Sequence, residues 1–121
     1  MDTFASLADL SPQRIWDGVV ARVVEGDKMS FAVVELAPNS IVARHQHSNE
    51  QIGLVLRGTL TFTVGGERRR LRAGDTYNIP ADVPHDVVTG TEGAVVVDVF
   101  APVRADWVRF VKETPAPPVW P

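Results

Sequence analysis

The stretch Ala43-Arg44-His45-Gln46-His47-Ser48-Asn49-Glu50-Gln51-Ile52-Gly53-Leu54-Val55-Leu56-Arg57-Gly58 holds two of the chain's three histidines. Successive side chains on a strand alternate faces. His45, His47 and Gln51 share parity, so an extended segment here turns all three to one side and Glu50 to the other. The third histidine, His85, lies behind Pro84. Neutral imidazole is the commonest protein metal ligand. A lone His-x-His on a strand is more often a surface feature, but a whole histidine complement at ligand spacing favours a metal site. Parity selects the amide oxygen of Gln51, not the Glu50 carboxylate, as the fourth donor.

Outward from this stretch the chain reads as strands and turns. Residues 18–24 and 30–37 are apolar strands separated by the turn-forming Glu25-Gly26-Asp27-Lys28. Residues 59–64 alternate as a half-buried strand should. Gly65-Gly66 is a two-residue hairpin signal. Residues 70–74 lead into Gly74-Asp75-Thr76-Tyr77-Asn78-Ile79-Pro80, and residues 87–88 and 94–100 are further strands. Short, regularly punctuated strands predict an all-β sandwich or barrel. Residues 18–110 form the single domain. Residues 1–17 are a mixed lead-in anchored by Trp16. The proline-rich residues 111–121 make an extended arm, with Trp120 docking on the body.

Composition narrows the class. A chain of 121 residues has room for one domain, and the absence of cysteine excludes disulfides, thiol catalysis and thiolate metal sites. A net charge of −3 gives no electrostatic case for nucleic acid. Arg68, Arg69, Arg70 and Arg72 are the local exception, and a solvated edge strand explains them better than a partner site. No apolar run approaches the ~20 residues that span a bilayer. The start Met1-Asp2-Thr3-Phe4-Ala5-Ser6 has no secretory pattern. The expectation is a cytoplasmic protein that binds neither membrane nor nucleic acid.

Residues 38–58, with Gln51 three residues beyond His47 and Gly58 six beyond Gln51, resemble the first signature motif of the cupin superfamily. Gly74, Pro80 and His85 resemble the second. Asn39, Asp82 and Thr89 stand where the family has glycine, glycine and asparagine. Asn and Asp visit the left-handed backbone region more readily than other non-glycine residues, so Asn39 and Asp82 should still make the turns. Thr89 leaves only a side-chain hydrogen bond in question. The resemblance implies an antiparallel β-barrel, the double-stranded β-helix or jelly roll. It also implies one divalent transition metal on His45, His47, Gln51 and His85. Such ligands suit Ni, Zn, Fe, Mn, Co or Cu. Four neutral donors leave the ion's full charge available as a Lewis acid.

Asp98 stands alone in the apolar run Ala94-Val95-Val96-Val97-Asp98-Val99-Phe100. A structural Asp paired with Arg104, or one near solvent at a strand end, is as natural a reading of that pattern as a catalytic one. Continued through Ala101-Pro102-Val103-Arg104-Ala105-Asp106-Trp107, and taken with Gln51 as fourth ligand, the run resembles the uronate-linearising KdgF type of cupin. That resemblance implies ring opening of 4,5-unsaturated uronates to linear keto acids. It casts Asp98 as the proton carrier, Phe100 as packing on the sugar ring, and Arg104 as holding the substrate carboxylate. The partner is then a small molecule, an acidic sugar or other carboxylate. A metal-dependent dioxygenase acting on an enol or phenol, and a non-catalytic small-molecule-binding cupin, are the alternatives. The strand face carrying Ile52, Leu54 and Leu56 is wholly apolar and needs cover, from the chain's own ends or from a second subunit. A homodimer is the expectation.

Overall fold

The computed structural model describes residues 3–121. Met1 and Asp2, the start of the lead-in, lie outside the described residues. Eight antiparallel strands follow one another: β1 (Gln13–Trp16), β2 (Val19–Glu25), β3 (Ser30–Leu36), β4 (Ile41–His45), β5 (Glu50–Val64), β6 (Glu67–Arg72), β7 (Thr76–Ile79) and β8 (His85–Ala101). Two 3-10 turns, Leu7–Asp9 and Ala105–Arg109, flank them. No described helix is long and apolar enough to cross a membrane.

β5 and β8 pair along most of their length and belong to both layers of the barrel. In one layer, the end of β8 pairs with β3 and the start of β5 with β7. In the other, the start of β8 pairs with β4 and the end of β5 with β6. Two register shifts, at Val55/Arg57 and Gly58/Leu60, carry β5 from one layer to the other. Buried positions are Gln51, Gly53 and Val55 before the shifts, and Leu60 and Phe62 after them. The residue parity facing inward therefore swaps within one strand. Gly58 has φ 79, and a Cβ there would collide with the Gly93 carbonyl oxygen. Only glycine fits that crossing.

The sequence pattern breaks residues 87–88 and 94–100 into separate strands, whereas they form the single β8. Glycines that read as turns here bend a continuous strand. The Gly65-Gly66 hairpin forms as expected, with Val64 opposite Glu67. Asn39 and Asp82 adopt φ 55 and 63, the left-handed conformation expected of them. Thr89 keeps its hydrogen bonds: its Oγ1 accepts from the Ser40 amide and donates to the Ala37 carbonyl, both at 2.7 Å.

The two ends of the chain meet. The Glu113 amide donates to the Pro12 carbonyl at 2.7 Å, and Gln13 bridges to Lys112. The arm then runs over the outside of the sheet. Arg22 is buried there; its guanidinium donates to Glu35 at 2.8 Å and to the Ala116 carbonyl at 3.0 Å. Glu35 also accepts the Val119 amide, and Arg57 donates to the Val119 carbonyl. Trp120 is half-buried. Beyond the arm an apolar row stays open. Ile52 is 53% exposed, and across the sheet it neighbours Val99, Phe31 and Val24 in register. Leu54 and Leu56 are half-buried.

Candidate metal centre

His45 ends β4, and His85 opens β8 directly opposite it. His47 lies beyond the strand. The chain leaves the sheet at Gln46 and re-enters at Glu50, so the continuous extended segment expected over 45–51 does not exist. Buried Asn49 pins the intervening turn by donating to the Pro102 carbonyl. The His47 carbonyl accepts the Asp82 amide at 2.8 Å. Gln51 still faces the interior, because it belongs to the buried set that opens β5, while Glu50 is exposed.

His45, His47 and His85 bring ring nitrogens within 4.8 Å of one another, a group able to hold a metal ion. Their Nδ1 atoms bond backbone carbonyls: Ala43 at 2.8 Å, Asn49 at 3.0 Å and Val83 at 2.9 Å. A carbonyl can only accept, so each Nδ1 carries the hydrogen and each Nε2 keeps its lone pair. The Gln51 Oε1 stands 3.2 Å from the His47 Nε2. The Gln51 amide nitrogen belongs on the side of Asp98, whose charge it helps to stabilise. Two lone-pair atoms thus face each other across a gap that a shared cation would stabilise. Burial, then the Arg104 charge, lowers the His47 pKa. Burial, reinforced by His45, His47 and Arg104, lowers that of His85 to about 4. Both rings are neutral at pH 7, as metal ligation requires.

The group opens onto a cavity of about 320 Å³ whose wall includes Gln51, Tyr77, Asp98 and Arg104. Asp98 is buried, and the Tyr77 hydroxyl donates to its Oδ1 at 2.5 Å. Burial pushes the Asp98 carboxyl up to about 6. The Tyr77 bond, a looser contact from Gln51 and the Arg104 charge act against that rise. Tyr77 itself is raised well above 10, by burial and by the carboxylate beside it.

Arg104 is buried on the cavity wall, and its carboxylate fork is not free. Its Nε and Nη2 donate to the two Asp106 carboxylate oxygens at 3.0 and 2.9 Å. Its guanidinium lies 4.7 Å from the Phe100 ring centre and 4.5 Å from that of Trp107. Phe100 is 2% exposed, so it offers a ligand little ring face. Trp16 reaches the cavity from β1, its ring 5.3 Å from that of His45.

The sequence reading gives no role to Tyr77, Asp106 or Trp107, although the run from Asp98 includes the last two. A signal for Tyr77 exists: it is the chain's one tyrosine and shares parity with the buried Ile79. Asp106 and Trp107 follow the strand in a 3-10 turn whose direction no periodicity announces.

The family model described as Cupin_2, the cupin domain, matches residues 32–100. The pectin degradation protein KdgF of Dickeya dadantii is 32% identical over 98 residues, covering 79% of this chain and 89% of that protein. The H2HPP isomerase of Bacillus subtilis is 36% identical over 84 residues, but those cover only 35% of its length. The solved structure of KdgF from Halomonas sp. matches with TM-score 0.80 at 27% identity, over 88% of this chain and 98% of that one. A family model spanning more than half the chain, and a relative matched along most of both lengths, agree with the jelly-roll sheet: this chain belongs to the cupin domain family and is similar to its KdgF members.

Proposed function

We propose that this protein is a metal-dependent enzyme that opens the ring of 4,5-unsaturated uronates to linear keto acids. The observation that carries the reading is Asp98. It is a buried carboxylate on the cavity wall beside the three-histidine group, with a pKa of about 6. A proton carrier works best with a pKa near the working pH.

His45, His47 and His85, with the Gln51 oxygen, would hold one divalent transition metal, which supplies Lewis-acid polarisation of a substrate oxygen when bound. Asp98 takes the proton of the anomeric hydroxyl. The bond from C1 to the ring oxygen breaks as the C1 carbonyl forms, and the electron pair leaves on the ring oxygen as an enolate. Asp98 returns the proton to C4, and C5 becomes a ketone. Protons and electrons balance without an oxidant. Phe100 and Trp107, packed edge to face with ring centres 5.0 Å apart, form one aromatic corner against the Arg104 guanidinium, and Asp106 takes one edge. A carboxylate pairs with a guanidinium in its plane, so a substrate carboxylate reaches Arg104 along the edge that Asp106 leaves. Phe100 supports Arg104 as much as it packs against the sugar.

Metal analysis of the purified protein, then turnover of unsaturated uronates under air and under nitrogen, tests this reading. Equal turnover in both gases supports it. Turnover coupled to oxygen uptake overturns it in favour of oxygen chemistry on an enol or phenol. That second reading draws on the apolar back wall of the cavity, built by Val34, Val42, Leu60, Phe62, Val87 and Val96. Binding without turnover points to the non-catalytic alternative.

We also propose that the row through Ile52, Val99 and Phe31 meets a second copy of the chain. The arm covers neighbouring rows, where Val33 and Val95 are 4% and 2% exposed, yet no described residue covers Ile52.

A further inference from the structure

Gly53 lies opposite Tyr77 on one side and opposite Asp98 on the other, so the three residues form one cross-strand row over β7, β5 and β8. The Tyr77 ring leans along this row. A Cβ at residue 53 would overlap its Cζ, its Cε2 and its hydroxyl. The hydroxyl passes over the bare glycine backbone and ends on the Asp98 Oδ1. Phe62 packs against the ring, with centroids 4.3 Å apart, and fixes its tilt. Tyr77 and Asp98 are both buried. A buried hydroxyl needs an acceptor, and any side chain at residue 53 would stand between this one and its acceptor.

We propose that Tyr77 is a positioning residue of this site: its hydroxyl, laid across Gly53, holds one oxygen of Asp98 so that the other is presented to the cavity. The pin acts on orientation. A carboxylate on a single Cβ can turn about its last bond, and the hydrogen bond from Tyr77 removes that freedom. The interior supplies the donor from a rigid strand pair, so the aim of Asp98 does not depend on substrate. Misplacement of a reacting group by about 1 Å can cost about 10²-fold in rate. The part of this proposal that concerns turnover rests on the ring-opening reading; the part that concerns the orientation of Asp98 does not.

The test uses the metal-loaded full chain and two variants. Tyr77→Phe keeps the ring and removes only the hydroxyl. Gly53→Ala keeps the hydroxyl and blocks its path. The wild-type protein should show a slowly exchanging proton resonance downfield of the amides, from the hydroxyl bonded to a carboxylate. It should be lost in Tyr77→Phe and Gly53→Ala, and also in Asp98→Ala. With an unsaturated uronate as substrate, kcat should fall about 10²-fold in Tyr77→Phe, with KM and metal content unchanged. Wild-type kcat in Tyr77→Phe at full metal content overturns the proposal, as does a wild-type spectrum without the resonance. If the wild type turns over no uronate, the ring-opening reading falls, and the resonance alone decides whether Tyr77 holds Asp98. Should Tyr77→Phe fail to fold, Gly53→Ala carries the same comparison.

Discussion

Arg104 and Asp106 lie two residues apart and join through two parallel hydrogen bonds at 3.0 and 2.9 Å, with the guanidinium against the corner made by Phe100 and Trp107. The aromatic rings and the buried Ser30, which accepts the Arg104 amide at 2.9 Å, hold Arg104 without help from Asp106. Asp106 is half open to solvent and offsets the Arg104 charge. An ion pair of that exposure is worth up to about 1 kcal/mol. Asp106→Asn should therefore lower KM for a carboxylate substrate by up to about fivefold. Charged hydrogen bonds contribute about 1.5–3 kcal/mol, so Arg104→Ala should raise KM by about 10-fold to 100-fold. Steady-state kinetics on both variants checks the pair. An increase of KM in Asp106→Asn would show that Asp106 steers Arg104 instead of competing for it.

Asp98→Asn should retain metal and lose about 10²–10⁴-fold in turnover, the usual contribution of a positioned acid or base. In the wild type, kcat/KM should rise with pH as Asp98 becomes the base, at a pH that the bound cation sets below the value of about 6 in the metal-free site. Metal analysis beside the pH profile separates a lost proton carrier from a lost ion. Asp98→Asn at wild-type rate would falsify the ring-opening assignment.

The metal-free protein should show two opposed pH dependences. His85 is depressed to about 4, below the ordinary 6.5 of an unfolded chain. The unfolded state takes the proton first, so this contribution is full above pH 6.5 and is lost as pH falls toward 4. Asp98 is raised to about 6, so its contribution is full below the ordinary carboxylate pKa and is lost as pH rises through 6. The two oppose each other between about pH 4 and 6. Metal-free Asp98→Asn should expose the histidine side alone, its stability rising more steeply with pH than that of the wild type. Urea unfolding from pH 4 to 7 measures the difference. Parallel curves for the two proteins would contradict it.

Ile52→Glu places a charge in the open apolar row. If a second copy covers that row, sedimentation should show a wild-type dimer and a folded Ile52→Glu monomer with its metal still bound. A wild-type monomer rules out the dimer.

The fold was legible because glycine, proline and alternation mark strands locally. What periodicity could not show was that residues 85–101 are one strand. Glycines at a bend and glycines at a turn look alike in sequence, and the pairing that tells them apart comes from β3 and β4 on opposite layers. The three histidines were legible from spacing. Parity across 45–51 points to Gln51, yet the chain between is a turn, and Gln51 faces inward because a new strand begins beside it. Asp98 stood out as the one carboxylate in an apolar run, while the roles proposed for it and for Arg104 came only through resemblance. Tyr77 and Asp106 were given no role, because each meets its partner only through tertiary pairing or a short turn.

The wall of the cavity also carries Trp16 from near one end of the chain and Trp107 and Arg109 from near the other, joined where Glu113 meets Pro12. The histidines lie well inside the sequence, His45 and His85 on strands and His47 in the turn between β4 and β5. This part of the wall and the histidine group are thus encoded in separate, non-overlapping segments. A chimaera that exchanges both ends with those of another jelly-roll protein would change the wall a ligand meets while leaving the donor atoms in place, a natural route by which one scaffold diversifies its clientele.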